Sequence, residues 1–248
     1  MEIGTLIHRF SSCSSTNDLA REMAERGEPE GAVVLCEEQT AGRGTKGRTW
    51  FSAPNRGFYA SVILRPRSPD LSFIPLLAGV AVVEAVERIF GLRAGLKWPN
   101  DVVWQGKKLG GILVESVLTG AEADFVILGI GLNLNHEAPD FPLDIRAIAT
   151  SLRIILKKPV PLESLLSGLW KSLENWYRLL EEQGGPRILR GFELYSSIPI
   201  GTIVIIHTPA SEIRGVYSGL DARGGLVLEV DGRKTSFYSA EIAAVDPE

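Results

Sequence analysis

Residues 40–50 gather three glycines, three cations and a closing aromatic within eleven positions. Gly42, Gly44 and Gly47 alternate with Arg43, Lys46 and Arg48, and Trp50 ends the stretch. No apolar periodicity runs through it, so it is neither a buried strand nor an amphipathic helix. Glycine lets backbone amides approach a ligand that a Cβ would hold off. A concave row of amides beside cations suits a phosphate or a carboxylate. The same residues also describe a solvated basic hairpin tip, and this stretch alone leaves both readings open.

Two further stretches carry reactive types. Lys97-Trp98-Pro99-Asn100-Asp101 precedes an apolar run, and Lys108 stands just before Gly110 and Gly111. A lysine at a strand start is commonly just solvated, but the paired glycines favour close approach of something to the backbone. Asp101 is either a carboxylate near a reaction centre or a turn-stabilising residue. Ser15, Thr16 and Asn17 either cap a helix or present hydroxyls and an amide to a ligand at its N-terminus. Asn133 ends a long apolar strand that also holds Gly129 and Gly131. His8, His136 and His207 fall outside these stretches, and no Ser-His-Asp or Cys-His arrangement is visible.

The elements that must position these residues can be read from pattern. Residues 3–10, 32–36, 57–64 and 124–134 read as strands. Residues 95–115 read as strand, proline break, strand, tight turn at Gln105-Gly106, and strand. A helix should begin at Ser15, where Ser15 and Asp18 have capping-box spacing and Gly27 can end it. Residues 75–90 form a buried helix closed by Gly91, and 162–180 an amphipathic one. A further helix covers 186–195. Beyond Pro199 five short alternating strands, at 202–206, 213–217, 226–230, 234–238 and 242–245, suggest a small barrel.

A chain of 248 residues can bury a sizeable core. Its net charge of −4 argues against a dedicated nucleic-acid binder. Cys13 and Cys36 form neither a disulfide framework nor a metal spacing. Residues 1–4 open without a signal-peptide pattern, and the most apolar window, 74–86, contains Glu84. A cytoplasmic protein without membrane contact is expected. Monomer and homodimer are both compatible with the sequence.

Taken together, four blocks in order resemble the biotin protein ligases, also called biotin–[acetyl-CoA-carboxylase] ligases. They are Ser15-Thr16-Asn17, the glycine and arginine loop from Gly42 to Arg48 with Trp50, Lys97-Trp98-Pro99-Asn100-Asp101, and Lys108-Leu109-Gly110-Gly111-Ile112-Leu113-Val114-Glu115. The resemblance spans the chain. It implies an α+β fold, with a mixed-sheet catalytic domain and flanking helices related to class II tRNA synthetases and lipoate ligases over residues 1–197. An SH3-like barrel would occupy 198–248. Some members carry an N-terminal winged-helix repressor domain; with the first motif at Ser15, this chain resembles the monofunctional type.

The activity implied is ATP-dependent ligation of biotin to a lysine of a biotin carboxyl carrier protein through biotinyl-5′-AMP, with Mg²⁺ on the ATP phosphates and no protein metal site. By the same resemblance Ser15, Thr16, Asn17, Gln39, Gly42, Arg43, Gly44, Thr45, Arg48, Trp50, Lys108, Gly111 and Asn133 bind biotin or its adenylate. Lys108 and Arg43 are the expected catalytic cations. Gln39 can donate and accept, which suits a ureido ring. Trp50 is a candidate adenine platform and Trp98 a wall or core residue. One departure stands out: Thr45 replaces the second arginine of the usual Gly-Arg-Gly-Arg-x-Gly-Arg loop. Lipoate ligation is the nearest enzymatic alternative, and nucleic-acid binding by the barrel the non-enzymatic one.

Overall fold

The computed structural model describes residues 2–119 and 122–245; residue 1 and residues 246–248, the outer ends of the two expected domains, lie outside that description. Seven strands form one mixed sheet: β1 (Ile7–Phe10), β2 (Val33–Cys36), β3 (Gly57–Leu64), β4 (Gly95–Lys97), β5 (Asp101–Trp104), β6 (Lys107–Thr119) and β7 (Glu122–Asn133). Their order is β1-β2-β3-β7-β6-β5-β4, with β1–β2 parallel and the other pairs antiparallel. The first strand is shorter than the sequence suggested, because residues 3–6 turn and bend before the regular pairing with β2 begins at Ile7.

Strand alternation decides which side chains meet the core and which face the cavity. On β3, Phe58, Ala60, Val62 and Leu64 join the main apolar cluster. Tyr59, Ser61 and Ile63 take the opposite face. On β7, Val126, Leu128, Ile130 and Leu132 enter the same cluster, leaving Gly129, Gly131 and Asn133 opposite. The register sets Ser61 beside Gly129 and Gly131 beside Gly111. Three glycines, Gly111, Gly129 and Gly131, and one serine thus form a bare patch on this face of the sheet.

Helix α1 (Thr16–Glu25) covers that second face through Ala20 and Ala24. On the first face, α2 (Ile74–Phe90) is almost wholly apolar because it lies between the sheet and α4 (Leu162–Gln183). Gly91 ends α2 at φ +67°, a conformation glycine adopts without strain. A short α3 (Leu152–Leu156) and α5 (Pro186–Tyr195) complete the layer. Truncating a fully buried residue such as Leu169 to alanine should cost about 2–5 kcal/mol.

Turn residues Gln105 and Gly106 both have positive φ, at 48° and 76°, as a two-residue hairpin with type I′ geometry demands. One residue further on, the β5–β6 register shifts: Val103 pairs with Lys108 but Val102 with Gly110. This bulge matters for the site. Strict alternation would put Lys108 on the core face with Gly110 and Ile112; the extra residue turns it to the face of Gly111.

A second, five-stranded antiparallel sheet follows α5: β8 (Ile203–His207), β9 (Glu212–Leu220), β10 (Leu226–Val230), β11 (Arg233–Phe237) and β12 (Glu241–Val245), in the order β11-β10-β9-β8-β12. It fits the expected SH3-like domain. Val204, Ile206, Tyr217, Leu226 and Leu228 belong to the same apolar cluster as the main sheet. Trp98 crosses between the two sheets: it is 5 % exposed and its Nε1 donates to the Gly224 carbonyl at 3.0 Å.

Candidate active site

A cavity of about 500 Å³ opens on the bare glycine patch. Its walls come from the start of α1, the 40–50 loop, β4 to β7, the segment around 145–149 and the first residues of β12. Among the residues expected from sequence, all but Gly42 line it. Gly42 sits behind the wall, where a Cβ would meet the Trp50 carbonyl at 2.6 Å and the Gln39 amide at 3.1 Å. Its role is to let the loop pack against Gln39.

One end of the cavity is neutral and buried. Ser15, Thr16 and Asn17 are 2 %, 4 % and 3 % exposed. Gln39 Oε1 accepts from the Thr16 backbone N–H at 2.9 Å and lies 3.1 Å from Thr16 Oγ1, while its Nε2 donates to Ser52 Oγ at 3.1 Å. Ser61 Oγ lies 2.8 Å from Thr16 Oγ1 and 2.5 Å from Asn17 Oδ1. The expected capping box is absent: Ser15 is the N-cap residue but its side chain makes no cap bond. Gln39 satisfies Thr16 N–H instead, and Asp18 is engaged elsewhere. Gly129 is required here because a Cβ would collide with the Asn17 amide.

The other end is charged. Lys108 Nζ lies 2.7 Å from Asp101 Oδ1 and 5.5 Å from the Trp50 ring centroid. Trp50 lies flat on the glycine patch; Cβ atoms on Gly131 and Gly111 would meet its ring at 2.6 and 3.1 Å. The backbone of Lys108 is pinned by Ile148 and Thr150, and Asn133 Nδ2 donates to the Thr150 carbonyl at 2.9 Å. Asn133 therefore ties this segment to the sheet, with its amide at the cavity wall.

The loop differs from the expected row of open amides with three converging cations. It is a hairpin: Trp50 N–H donates to Gly42 O at 2.8 Å and Gly44 N–H to Arg48 O at 2.7 Å, around a short 3-10 turn at Thr45–Gly47. Self-pairing satisfies those amides. Its cations are each paired with a carboxylate. Arg43 Nη1 donates to both Asp18 oxygens at 2.6 and 2.7 Å, and Nη2 faces Glu115 at 3.1 and 3.2 Å. The hydrogen bond to Asp18 outweighs burial and pushes Arg43 further up from its ordinary value. Arg48 reaches Glu241 of β12 at 2.6 Å, and Lys46 lies 3.8 Å from the same residue. Burial alone would raise Glu241, but the hydrogen bond from Arg48 and the nearby cations hold it below the usual carboxylate range.

Four polar residues at the site escaped sequence reading. Ser61 had a signal, as a small hydroxyl inside an otherwise apolar stretch of β3, residues 60–64. Glu115 was inside a quoted block, and Asp18 was assigned to a cap. Glu241 had none, since nothing in the chain order brings β12 to residue 48. A buried wall was missed too: His136, 0 % exposed, stacks on Phe141 at 4.9 Å and lies 5.9 Å from Phe51. Burial lowers its imidazole to about 4.

Comparison with known proteins gives this arrangement a context. Residues 10–133 match the model of the biotin/lipoate A/B protein ligase family. The bifunctional ligase/repressor BirA of Bacillus subtilis is 36 % identical over 234 residues, covering 92 % of this chain and 71 % of that one. The biotin–[acetyl-CoA-carboxylase] ligase of Paracoccus denitrificans is 33 % identical over 235 residues, covering 92 % and 96 %. In structure, the biotin protein ligase from Aquifex aeolicus in complex with biotin and ATP superimposes with a TM-score of 0.85 at 29 % identity, over 96 % of this chain and 98 % of that one.

Proposed function

The chain belongs to the biotin/lipoate A/B protein ligase family, and on that premise we propose that it activates biotin with ATP and transfers it to a lysine of a biotin carboxyl carrier protein. The biotin carboxylate attacks the α-phosphorus of ATP, giving biotinyl-5′-AMP and releasing pyrophosphate. The carrier amine then attacks the acyl carbon and AMP leaves.

The observation that carries this reading is the polarity of one cavity: neutral paired hydroxyls and amides at one end, cations at the other, and a glycine floor between them. The neutral end suits a ureido ring, which donates and accepts. Thr16 and Gln39 hold it. Lys108 is turned by the bulge toward the centre of the floor, where it meets charge building on the carboxylate and α-phosphoryl oxygens. Arg43, paired with Asp18 and Glu115 at the wall, steadies the loop in place of the catalytic role expected of it, and Arg48 exchanges Glu241 for phosphate. Trp50 lies beside Lys108 as a platform for the nucleotide. No protein nucleophile is needed. Mg²⁺ would arrive on the ATP phosphates and neutralise part of their charge, while the wall carboxylate Asp101 is held by Lys108.

Residues 1–197 are proposed as the biotin and ATP domain and 198–248 as the appended domain. A cytoplasmic location is part of this reading, because the reaction draws on ATP; among the described residues no helix is long and apolar enough to cross a membrane. A net charge of −4 speaks against a nucleic-acid partner. Mass spectrometry of a carrier domain incubated with the protein, biotin, ATP and Mg²⁺ tests the reading. One added biotin on one lysine is expected. Preference for lipoate in direct competition would replace it with lipoate ligation, and no transfer of either acid would sink it.

A further inference from the structure

Glu115 has no part in the reaction just described, yet it touches both ends of the cavity. Its Oε2 accepts from Asn17 Nδ2 at 2.6 Å, and its two oxygens lie 3.2 and 3.1 Å from Arg43 Nη2. The strand register places it there. Glu115 pairs with Ile127, one alternation beyond Leu113 and Gly129, so it emerges on the same face as the glycine floor. Arg21 stands 3.9 Å away, and Asp18 shares Arg43 with it, so two cations balance two carboxylates.

An ionised carboxylate only accepts hydrogen bonds. Glu115 therefore fixes the Asn17 amide with its NH₂ toward β6 and its oxygen toward Ser61. The flipped amide would set two acceptors against each other. With Asn17 Oδ1 only 2.5 Å away, Ser61 must donate its single proton there. The Ser61 oxygen is left to accept from Thr16, 2.8 Å away, or to stand beside it while Thr16 donates to Gln39 at 3.1 Å. When Thr16 donates to Ser61, its hydroxyl takes its orientation from a carboxylate it does not touch, while Gln39 is oriented separately by the Thr16 backbone N–H. The same carboxylate anchors the arginine that leads into the loop.

We propose that Glu115 is a positioning residue that orients the Thr16 hydroxyl at the ureido end through Asn17 and Ser61 and, through Arg43, holds the loop over the adenylate. This rests on the assignment of the cavity to biotin and its adenylate. It makes the two ends respond together to one side chain, although they lie on different elements.

Two variants separate the two contacts. Glu115→Ala removes both. Glu115→Gln keeps an oxygen for Asn17 but turns an amine toward Arg43 and loses the charge. Biotin affinity is measured by calorimetry without ATP, adenylate loss by stopped-flow, and KM for biotin against kcat by pyrophosphate release. Glu115→Ala should weaken biotin binding tenfold or more and speed adenylate loss tenfold or more. Glu115→Gln should keep the biotin affinity within about threefold while still speeding adenylate loss. Should the alanine variant fail to fold, the split shown by the glutamine variant decides alone. Wild-type values in both measurements, or equal losses in both variants, would overturn the proposal. If the wild-type protein itself neither binds biotin nor releases pyrophosphate, the functional assignment fails first and this one with it.

Discussion

At the α1 end of the cavity Thr16, Asn17, Gln39 and Ser61 are neutral and bonded to one another, with Asn17 also anchored to Glu115; at the loop end the polar groups are charged, half exposed and paired with carboxylates. Thr16, Asn17 and Ser61 are at most 4 % exposed. The side chains of Arg48 and Glu241 are 52 % and 37 % exposed, and that of Lys46 46 %. The energetics differ accordingly. Leaving a buried donor or acceptor unpaired costs about 1–3 kcal/mol, so the α1 end tolerates little rearrangement. An exposed ion pair is worth about 0.2–1 kcal/mol, so a loop cation can trade its carboxylate for a phosphate at small cost. One end is built to discriminate, the other to exchange partners.

Lys108 sits where the two ends meet, and its loss should break the comparison most. Lys108→Ala should lower the rate of pyrophosphate release by about 3–4 kcal/mol of transition-state stabilisation, as for loss of one preorganised donor at a developing anion. Biotin affinity without ATP should fall by much less than the rate, because the charge that Lys108 meets is largest in the transition state. A variant that forms adenylate near the wild-type rate would mean that the ammonium is merely solvated beside Asp101.

Gln39→Ala attacks the discriminating end alone. It strips the acceptor from the Thr16 N–H and the donor from Ser52. Biotin affinity should fall by about 2–3 kcal/mol, read by calorimetry, given the cost of unpaired buried groups. ATP binding should remain. Equal loss of both affinities would show that the two ends are not separable in this way.

A further pH signature comes from His136, buried against Phe51 and Phe141. His136 titrates at about 4 in the fold, below its ordinary value of 6.5, because burial disfavours the imidazolium. The unfolded chain therefore binds its proton first. Stability from this group is complete above about pH 6.5 and is lost as pH falls toward 4. Between pH 7 and pH 5 the loss is about 2 kcal/mol, since each pH step below 6.5 removes roughly 1.4 kcal/mol. His136→Phe, which keeps a ring against Phe141, should flatten that part of the melting profile. An unchanged profile in the variant would move the effect to other groups.

How far the sequence reached follows the same division. Strand alternation and helical period located the main elements to within a few residues, since each rests on local pattern. Ser15, Thr16 and Lys108 were recognisable because they lie in short contiguous blocks, whereas Gln39 came only from the family resemblance. What escaped depends on long-range pairing. The bulge that turns Lys108 arises between β5 and β6, and Glu241, 193 positions along the chain from Arg48, meets it only once the chain folds back. The cations of the loop were legible as cations, but their carboxylate partners lie on α1, β6 and β12, which no local pattern connects.

Thr45 offers the finest test of the exchanging end. It stands where an arginine is usual, at the start of the short turn, and its side chain accepts from Arg48 Nη2 at 3.2 Å. Threonine thus steers Arg48 but brings no charge of its own. Lys46 does not replace that charge: its backbone is left-handed at φ 58°, and its ammonium lies toward Glu241, 3.8 Å away, outside the cavity wall. Thr45→Arg would give up one hydroxyl acceptor, but the Thr45 carbonyl that Arg48 Nε also reaches belongs to the backbone and survives. In exchange the loop gains a permanent cation able to meet the adenylate phosphate. A charge-assisted hydrogen bond contributes about 1.5–3 kcal/mol, offset here by ordering a long side chain, so adenylate release should slow by about tenfold. Stopped-flow dissociation from wild type and variant gives the number, with self-biotinylation as an independent readout of escaped adenylate. If the arginine variant releases adenylate as fast as wild type, the phosphate is already held by another group, and the loop end is less open to exchange than its exposed ion pairs imply.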